Sequence, residues 1–152
     1  MQVSAADIKK LREETGAGVL DCKRALTEAE GTYQRALEIV KERGLAKAEK
    51  KSDRETKEGA VFSYVHSGGR VAALVELVCE TDFVARNDEF QILGKNIAMQ
   101  VAAMNPENIN DLLEQEYIRD AGKTIEYLVK ELSGKIGEKL AVSRFVRYEL
   151  GV

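Results

Sequence analysis

The stretch Val61–Cys79, VFSYVHSGGRVAALVELVC, restricts the fold more than any other part of the chain. Val61, Ser63 and Val65 alternate with Phe62, Tyr64 and His66, which is the period of a strand. Ser67-Gly68-Gly69 supplies backbone that tolerates a left-handed turn, and Arg70–Cys79 returns as a second, more apolar run. A β-hairpin is predicted here, so an all-helical protein is excluded whatever the flanking residues do.

Before the hairpin the period is helical. Ser4-Ala5-Ala6-Asp7 has capping-box spacing with Asp in place of Glu, and Ile8 and Leu11 form an apolar i, i+3 pair. Thr15-Gly16-Ala17-Gly18 should stop that helix and redirect the chain. A second helix follows with Val19, Cys22, Leu26 and Ala29 along one side, closing at Gly31. Thr32 caps a third, which carries Tyr33, Ala36, Leu37 and Val40 to an expected stop at Gly44. Residues 1–44 thus read as a three-helix module. From Leu45 to Glu58 charges alternate in sign, as in a solvated helical linker or frayed arm, and this marks the domain boundary.

Residues 59–152 read as an α+β core. After the hairpin, helical period resumes at Asp82, with Phe90, Leu93, Ile97, Val101 and Met104 on one stripe that ends at Asn105-Pro106. A polar stretch with few signals leads to Thr124, a cap for a helix with Ile125, Val129, Leu132 and Ile136 inward and Gly137 at its end. The tail, EKLAVSRFVRYELGV, alternates again and is expected to add a third strand. The fold class is therefore α+β, a helical module followed by antiparallel strands packed with helices. No internal repeat is visible.

A chain of 152 residues suits one medium domain or two small ones. Its 23 basic and 26 acidic residues leave a net charge of -3, which argues against nucleic acid as a direct partner. No signal peptide opens it, and no apolar run approaches the roughly 20 residues of a membrane span. The expected setting is cytoplasmic, away from membranes, with Cys22 and Cys79 reduced.

Several stretches invite a chemical reading. TGAGVLDCK lacks the grammar of a phosphate loop: Gly16 and Gly18 follow a helix, and Lys23 falls a turn into the next. A tight helix–helix turn remains, and it places Val19 and Leu20 side by side at a helix start. One of them cannot face the bundle interior, so it suits contact with a partner. His66, Cys79 and Asp82 could be imagined as a thiol–imidazole–carboxylate set. Cys79, however, shares an apolar strand face with Val71, Ala73, Val75 and Leu77, where a thiol is an inert small hydrophobe. The basic run Lys47, Lys50, Lys51, Arg54 and Lys57 is diluted at helical spacing by Glu49, Asp53, Glu55 and Glu58, which favours internally paired charges. The corner LVCETDFVARNDEF leaves two answers for Phe83. It lies a heptad before Phe90 and could extend the buried stripe; Arg86 and Asn87 interrupt that stripe, which would leave the ring displayed.

Four stretches, LREETGAGVLDCKRALTEAEG, KERGLAKAEKKSDRETKEG, VELVCETDFVARNDEFQILGKNIAMQVAAMNP and KIGEKLAVSRFVRYELG, occur in the order of translation elongation factor Ts, and the chain closely resembles that family over nearly its whole length. The resemblance implies a guanine-nucleotide exchange factor for the GTPase elongation factor Tu, with no covalent chemistry and no cofactor of its own. It implies that the helical head is a ubiquitin-associated-like module, with Val19 and Leu20 on its docking surface. Thr81, Asp82, Phe83 and Val84 match the family's element for displacing Mg²⁺ from Tu, with the Phe83 ring entering a pocket near the nucleotide. The chain departs from the family where a long helical excursion usually stands, between Pro106 and Leu112, and carries Glu116 where proline is usual. A homodimer stays open, as do two rivals: a Tu-binding module without exchange activity, and a thiol enzyme built on Cys79 and His66.

Overall fold

The structure, a computed structural model, describes residues 3–152; the first two residues of the expected head lie outside that range. Helix α1 spans Ala5–Thr15. The Ser4 hydroxyl accepts from the Asp7 N–H at 3.0 Å and donates to the Asp7 carboxylate at 2.6 Å, so the short acid completes a variant capping box. Gly16, at φ 70°, closes the helix in the left-handed region. Helices α2 (Val19–Glu28) and α3 (Tyr33–Lys50) complete the head. Leu11, Cys22, Ala25, Leu26, Ala36, Leu37 and Val40 are buried together between them.

The expected helix stop at Gly44 is not there. Helix α3 passes through Gly44 and continues to Lys50, because this glycine serves close approach to another helix. Helix α7 (Ile125–Ile136) crosses it at Gly134, where an added Cβ would stand 2.5 Å from the Gly44 carbonyl oxygen. The backbones touch directly, and tertiary packing outweighs the modest helix penalty of an interior glycine. Farther along, Ala48 and Lys51 are buried, and Glu49 pairs with Lys130 of α7 at 3.3 Å. The helix ends at Lys50, and the charged segment stays tied to the core as far as Arg54, which meets Glu80 at 3.4 Å. Its pairing is partly long-range, since Lys47 meets Asp21 of the head at 3.0 Å.

The hairpin forms as its period requires. Strand β1 (Glu58–Val65) pairs antiparallel with β2 (Val71–Cys79), from Glu58 opposite Cys79 to Val65 opposite Ala72. Gly68 and Gly69, at φ 88° and 70°, make the turn. The tail strand β5 (Ala141–Glu149) joins the other edge of β2, giving the order β1-β2-β5. Phe62, Ala73, Val75, Leu77, Cys79 and Val142 point into one apolar core, shared with helix α5 (Asp88–Met104). Val61, Val65, Leu74, Val146 and Tyr148 line the opposite, open face.

Two parts of the core differ from the periodic reading. The helix expected from Asp82 is two helices: α4 (Asp82–Ala85), a break at Arg86-Asn87, then α5. Asn87 begins the second helix by accepting from the N–H groups of Glu89 and Phe90 at 2.8 and 3.3 Å. The polar stretch before Thr124 holds α6 (Ile109–Glu114) and a small ribbon of β3 (Glu116–Tyr117) and β4 (Asp120–Thr124). Its anchor is the fully buried Gln100, whose amide donates to the Gln115 side chain and the Glu116 carbonyl and accepts from the Ile118 N–H. Thr124 caps α7, and Gly137 at φ 86° ends it, as the sequence implies.

Candidate functional site

Strand β2 ends at Cys79, and the chain must turn there without leaving its backbone donors unpaired. Thr81 stays extended and caps α4, its hydroxyl accepting from the Val84 N–H at 3.4 Å. One carboxylate holds the rest of the corner. Glu138 Oε1 accepts from the N–H groups of Glu80 and Thr81 at 3.1 and 3.0 Å, while its Oε2 accepts from the Thr81 hydroxyl at 2.7 Å. The Glu80 carboxylate answers by accepting from the Lys139 N–H at 2.7 Å. Two adjacent segments, far apart in sequence, are thus cross-tied by their own side chains.

The four residues of the corner face different ways. Val84 is buried in the core below, and Gln91 donates to the Ala85 carbonyl at 2.7 Å, fixing the end of the turn. Asp82 pairs with Arg86 at 2.9 Å, and the Arg86 guanidinium lies 5.7 Å from the centre of the Phe83 ring. Phe83 itself is 79% exposed. The display reading of this ring is correct. The heptad step from Phe90 does not carry across the break at Arg86-Asn87, so the stripe of α5 never reaches it.

The head presents a second apolar edge. Val19 and Leu20 open α2 and are 50% and 68% exposed, so both of them, rather than one, face outward. Their helix starts at Gly18 with no side-chain cap. Next to them, the Lys47 ammonium holds the Asp21 carboxyl below the ordinary carboxylate range, first by hydrogen bonding and then by charge. Asp21 in the first turn of α2 and Glu89 in the first turn of α5 both border one cleft of about 390 Å³ between head and core.

The sequence model of the family Elongation factor TS matches residues 80–151, beginning one residue before Thr81. An elongation factor Ts of Fervidobacterium nodosum is 42% identical, with 99% of this chain and 100% of the relative covered. One of Thermotoga neapolitana is 45% identical, with 99% and 98% covered. The chain belongs to the elongation factor Ts family. It is a translation elongation factor by that membership. The alignment with the Fervidobacterium protein runs over 196 positions against 152 residues here, so a substantial stretch of that relative has no counterpart in this member.

In this member of the family the thiol–imidazole set does not assemble. Cys79 lies at one end of the β1–β2 ladder and His66 at the turn, about 26 Å away at the usual rise per strand residue. Cys79 is fully buried, and burial first, then the Glu138 charge, pushes its thiol up to about 11. Its Sγ donates to the Thr81 carbonyl at 3.1 Å. Cys22 is buried in the head, and both cysteines are free thiols. Gly16 belongs to packing as well, since an added Cβ would lie 2.7 Å from Cγ of Lys135. Among the described residues no three His, Cys, Asp or Glu side chains gather as a metal site would need, and no helix there is long and apolar enough to cross a membrane.

The residue that sequence reasoning missed is Glu138. It stands in KIGEKL, just after the glycine that ends α7, where an acid reads as ordinary helix-exit surface. Nothing in local spacing points from there to Thr81, 57 residues earlier.

Proposed function

We propose that this chain binds elongation factor Tu in its GDP state and promotes GDP release, so that GTP can reload. Thr81, Asp82, Phe83 and Val84 are the element that disturbs Mg²⁺ and phosphate binding in Tu, and Val19 and Leu20 dock the head on the same GTPase. The observation that carries this reading is the Phe83 ring, exposed on a corner where the N–H groups of Glu80, Thr81 and Val84 are all taken by side-chain acceptors. An apolar ring held in water has no role in this chain's own core.

The mechanism is linkage. A factor that binds nucleotide-free Tu more tightly than Tu·GDP weakens GDP by the same ratio. Disturbing the Mg²⁺ removes the cation that neutralises the phosphates, and displacing the phosphate-binding loop removes their backbone donors. A pre-ordered corner does this with little loss to ordering entropy, which is what its cap and carboxylate ties supply. No covalent bond is made or broken.

The test is release of a fluorescent GDP analogue from Tu in stopped flow. Addition of this chain should accelerate release in a saturable manner. A complex that forms while the release rate stays at its basal value would replace exchange with simple binding.

A further inference from the structure

We propose that Glu138 is a positioning residue for exchange: its carboxylate sets the angle at which the Thr81–Val84 corner presents Phe83. The inference rests on the exchange reading above and adds a residue outside the corner to its machinery.

Three donors converge on this one side chain, the N–H groups of Glu80 and Thr81 and the Thr81 hydroxyl. The first two are the last backbone donors before the turn into α4, at the place where the β2 ladder has already ended. Without an acceptor they would turn to water, and the entry of the chain into α4 would lose three of its ties. Thr81 has a second task, since the same hydroxyl accepts from the Val84 N–H. By accepting the hydroxyl proton, Glu138 leaves the oxygen lone pairs facing that N–H. The carboxylate therefore orients the cap as well as the backbone.

Glu138 is itself held. Its carbonyl accepts from the Ser133 hydroxyl at 2.6 Å, and it follows directly on Gly137, the left-handed end of α7. The next residue, Lys139, donates its N–H to Glu80, and Arg54 approaches the same Glu80 carboxylate at 3.4 Å. The corner is thus referenced to the end of α7, and α7 is the helix on which the head packs through Gly44 and Gly134. One short segment thus ties the displayed ring to the helix against which the head packs.

The experiment compares Glu138→Ala and Glu138→Gln with the unchanged chain, alone and in a Phe83→Ala background. Amide hydrogen exchange is read first, without Tu. The Glu80 and Thr81 amides should exchange on the order of tenfold faster in Glu138→Ala, the loss of about one charge-assisted hydrogen bond, while the Val75 and Leu77 amides keep their protection. Glu138→Gln, which retains one accepting oxygen, should fall between. In stopped flow with Tu and fluorescent GDP, Glu138→Ala should lower the saturating release rate about tenfold, by the same conversion, with a smaller change in the half-saturating concentration. In the Phe83→Ala background it should lower the rate no further, because the clamp acts through the ring.

Unchanged Glu80 and Thr81 amides would overturn the proposal. So would an equal loss of rate with and without the ring, or loss of protection at Val75 and Leu77, since each marks Glu138 as a support of the whole fold. An unmutated chain that leaves GDP release untouched would overturn the exchange reading itself. A fast unmutated chain with an equally fast Glu138→Ala variant would remove only the positioning role.

Discussion

The corner at Phe83 and the edge at Val19-Leu20 are built from the same parts and finished differently. Each is an apolar side chain displayed at the N-terminus of a helix, where unpaired N–H groups need acceptors. At the corner, Thr81 caps α4 and Glu138 takes the two donors before it. At the head, α2 starts on Gly18 and no side chain takes its first N–H groups. On the proposed reading the corner, with more of its donors tied, is the stiff region and the edge the compliant one, which suits a wedge that must transmit force and a contact that need only hold on. Affinity can be supplied by either region. On the same reading, displacement of an ion falls to the region that yields least.

The sharpest division concerns rate against affinity. Phe83→Ala should reduce the saturating rate of GDP release by the loss of a buried aromatic anchor, about 2–4 kcal/mol. Its melting temperature should remain near that of the unmutated chain, because the ring is already in water. A fall of many degrees would restore the ring to the core and erase the distinction.

Next in size is the spacing between the two regions. Gly134→Ala places a methyl group against the backbone of Gly44, and relief of that clash should cost about 1–3 kcal/mol of stability. Calorimetry should show the lower transition, and stopped flow a higher half-saturating concentration, since two contacts on a loosened frame lose their shared effective concentration. If the variant melts and exchanges like the parent, the head is not held by this crossing.

Leu20→Ala probes the compliant edge alone. It should weaken complex formation by roughly 1 kcal/mol, the size of an ordinary interface contact, and leave the saturating rate in place. Should it depress that rate as strongly as Phe83→Ala, the head takes part in displacement and the contrast between the two regions fails.

How much of this contrast can be read from residues alone follows from the range of the forces involved. The hairpin, the caps at Ser4 and Thr124 and the glycine stops at Gly16 and Gly137 are local, and spacing reveals them. Gly44 misleads because a glycine at a helix end and a glycine at a helix crossing look alike until Gly134 is seen opposite. Phe83 stays ambiguous because the heptad count is valid only within one helix, and the second cap at Asn87 resets it. The β3–β4 ribbon is silent because it is only two and five residues long, and its organiser, Gln100, is a polar residue on a helix. Glu138 lies beyond reach for the same reason: its importance is a matter of what it faces.

The two cysteines provide the finest measure, because one thiol lies beneath each region. Cys79 is buried under the corner with its Sγ on the Thr81 carbonyl, and Cys22 is buried under α2 with its Sγ 3.8 Å from the Ala17 carbonyl. A thiol reagent reaches either only when the cover opens, so the modification rate reports local opening. In the native chain Cys22 should react before Cys79, and Glu138→Ala should accelerate Cys79 while leaving Cys22 as it was. The pH dependence has a definite sign. Burial raises the Cys79 thiol from 9.0 to about 11, so the stability linked to its retained proton is complete below about pH 9 and is lost as pH rises towards about 11. Above pH 9 the unfolded thiol ionises while the folded one does not, which favours opening. The stability of the parent should therefore fall more steeply between pH 9 and 11 than that of Cys79→Ala measured in parallel. Rapid modification of Cys79 at neutral pH would show that the corner opens freely despite its ties, and a wedge that opens freely could not press on a bound metal ion.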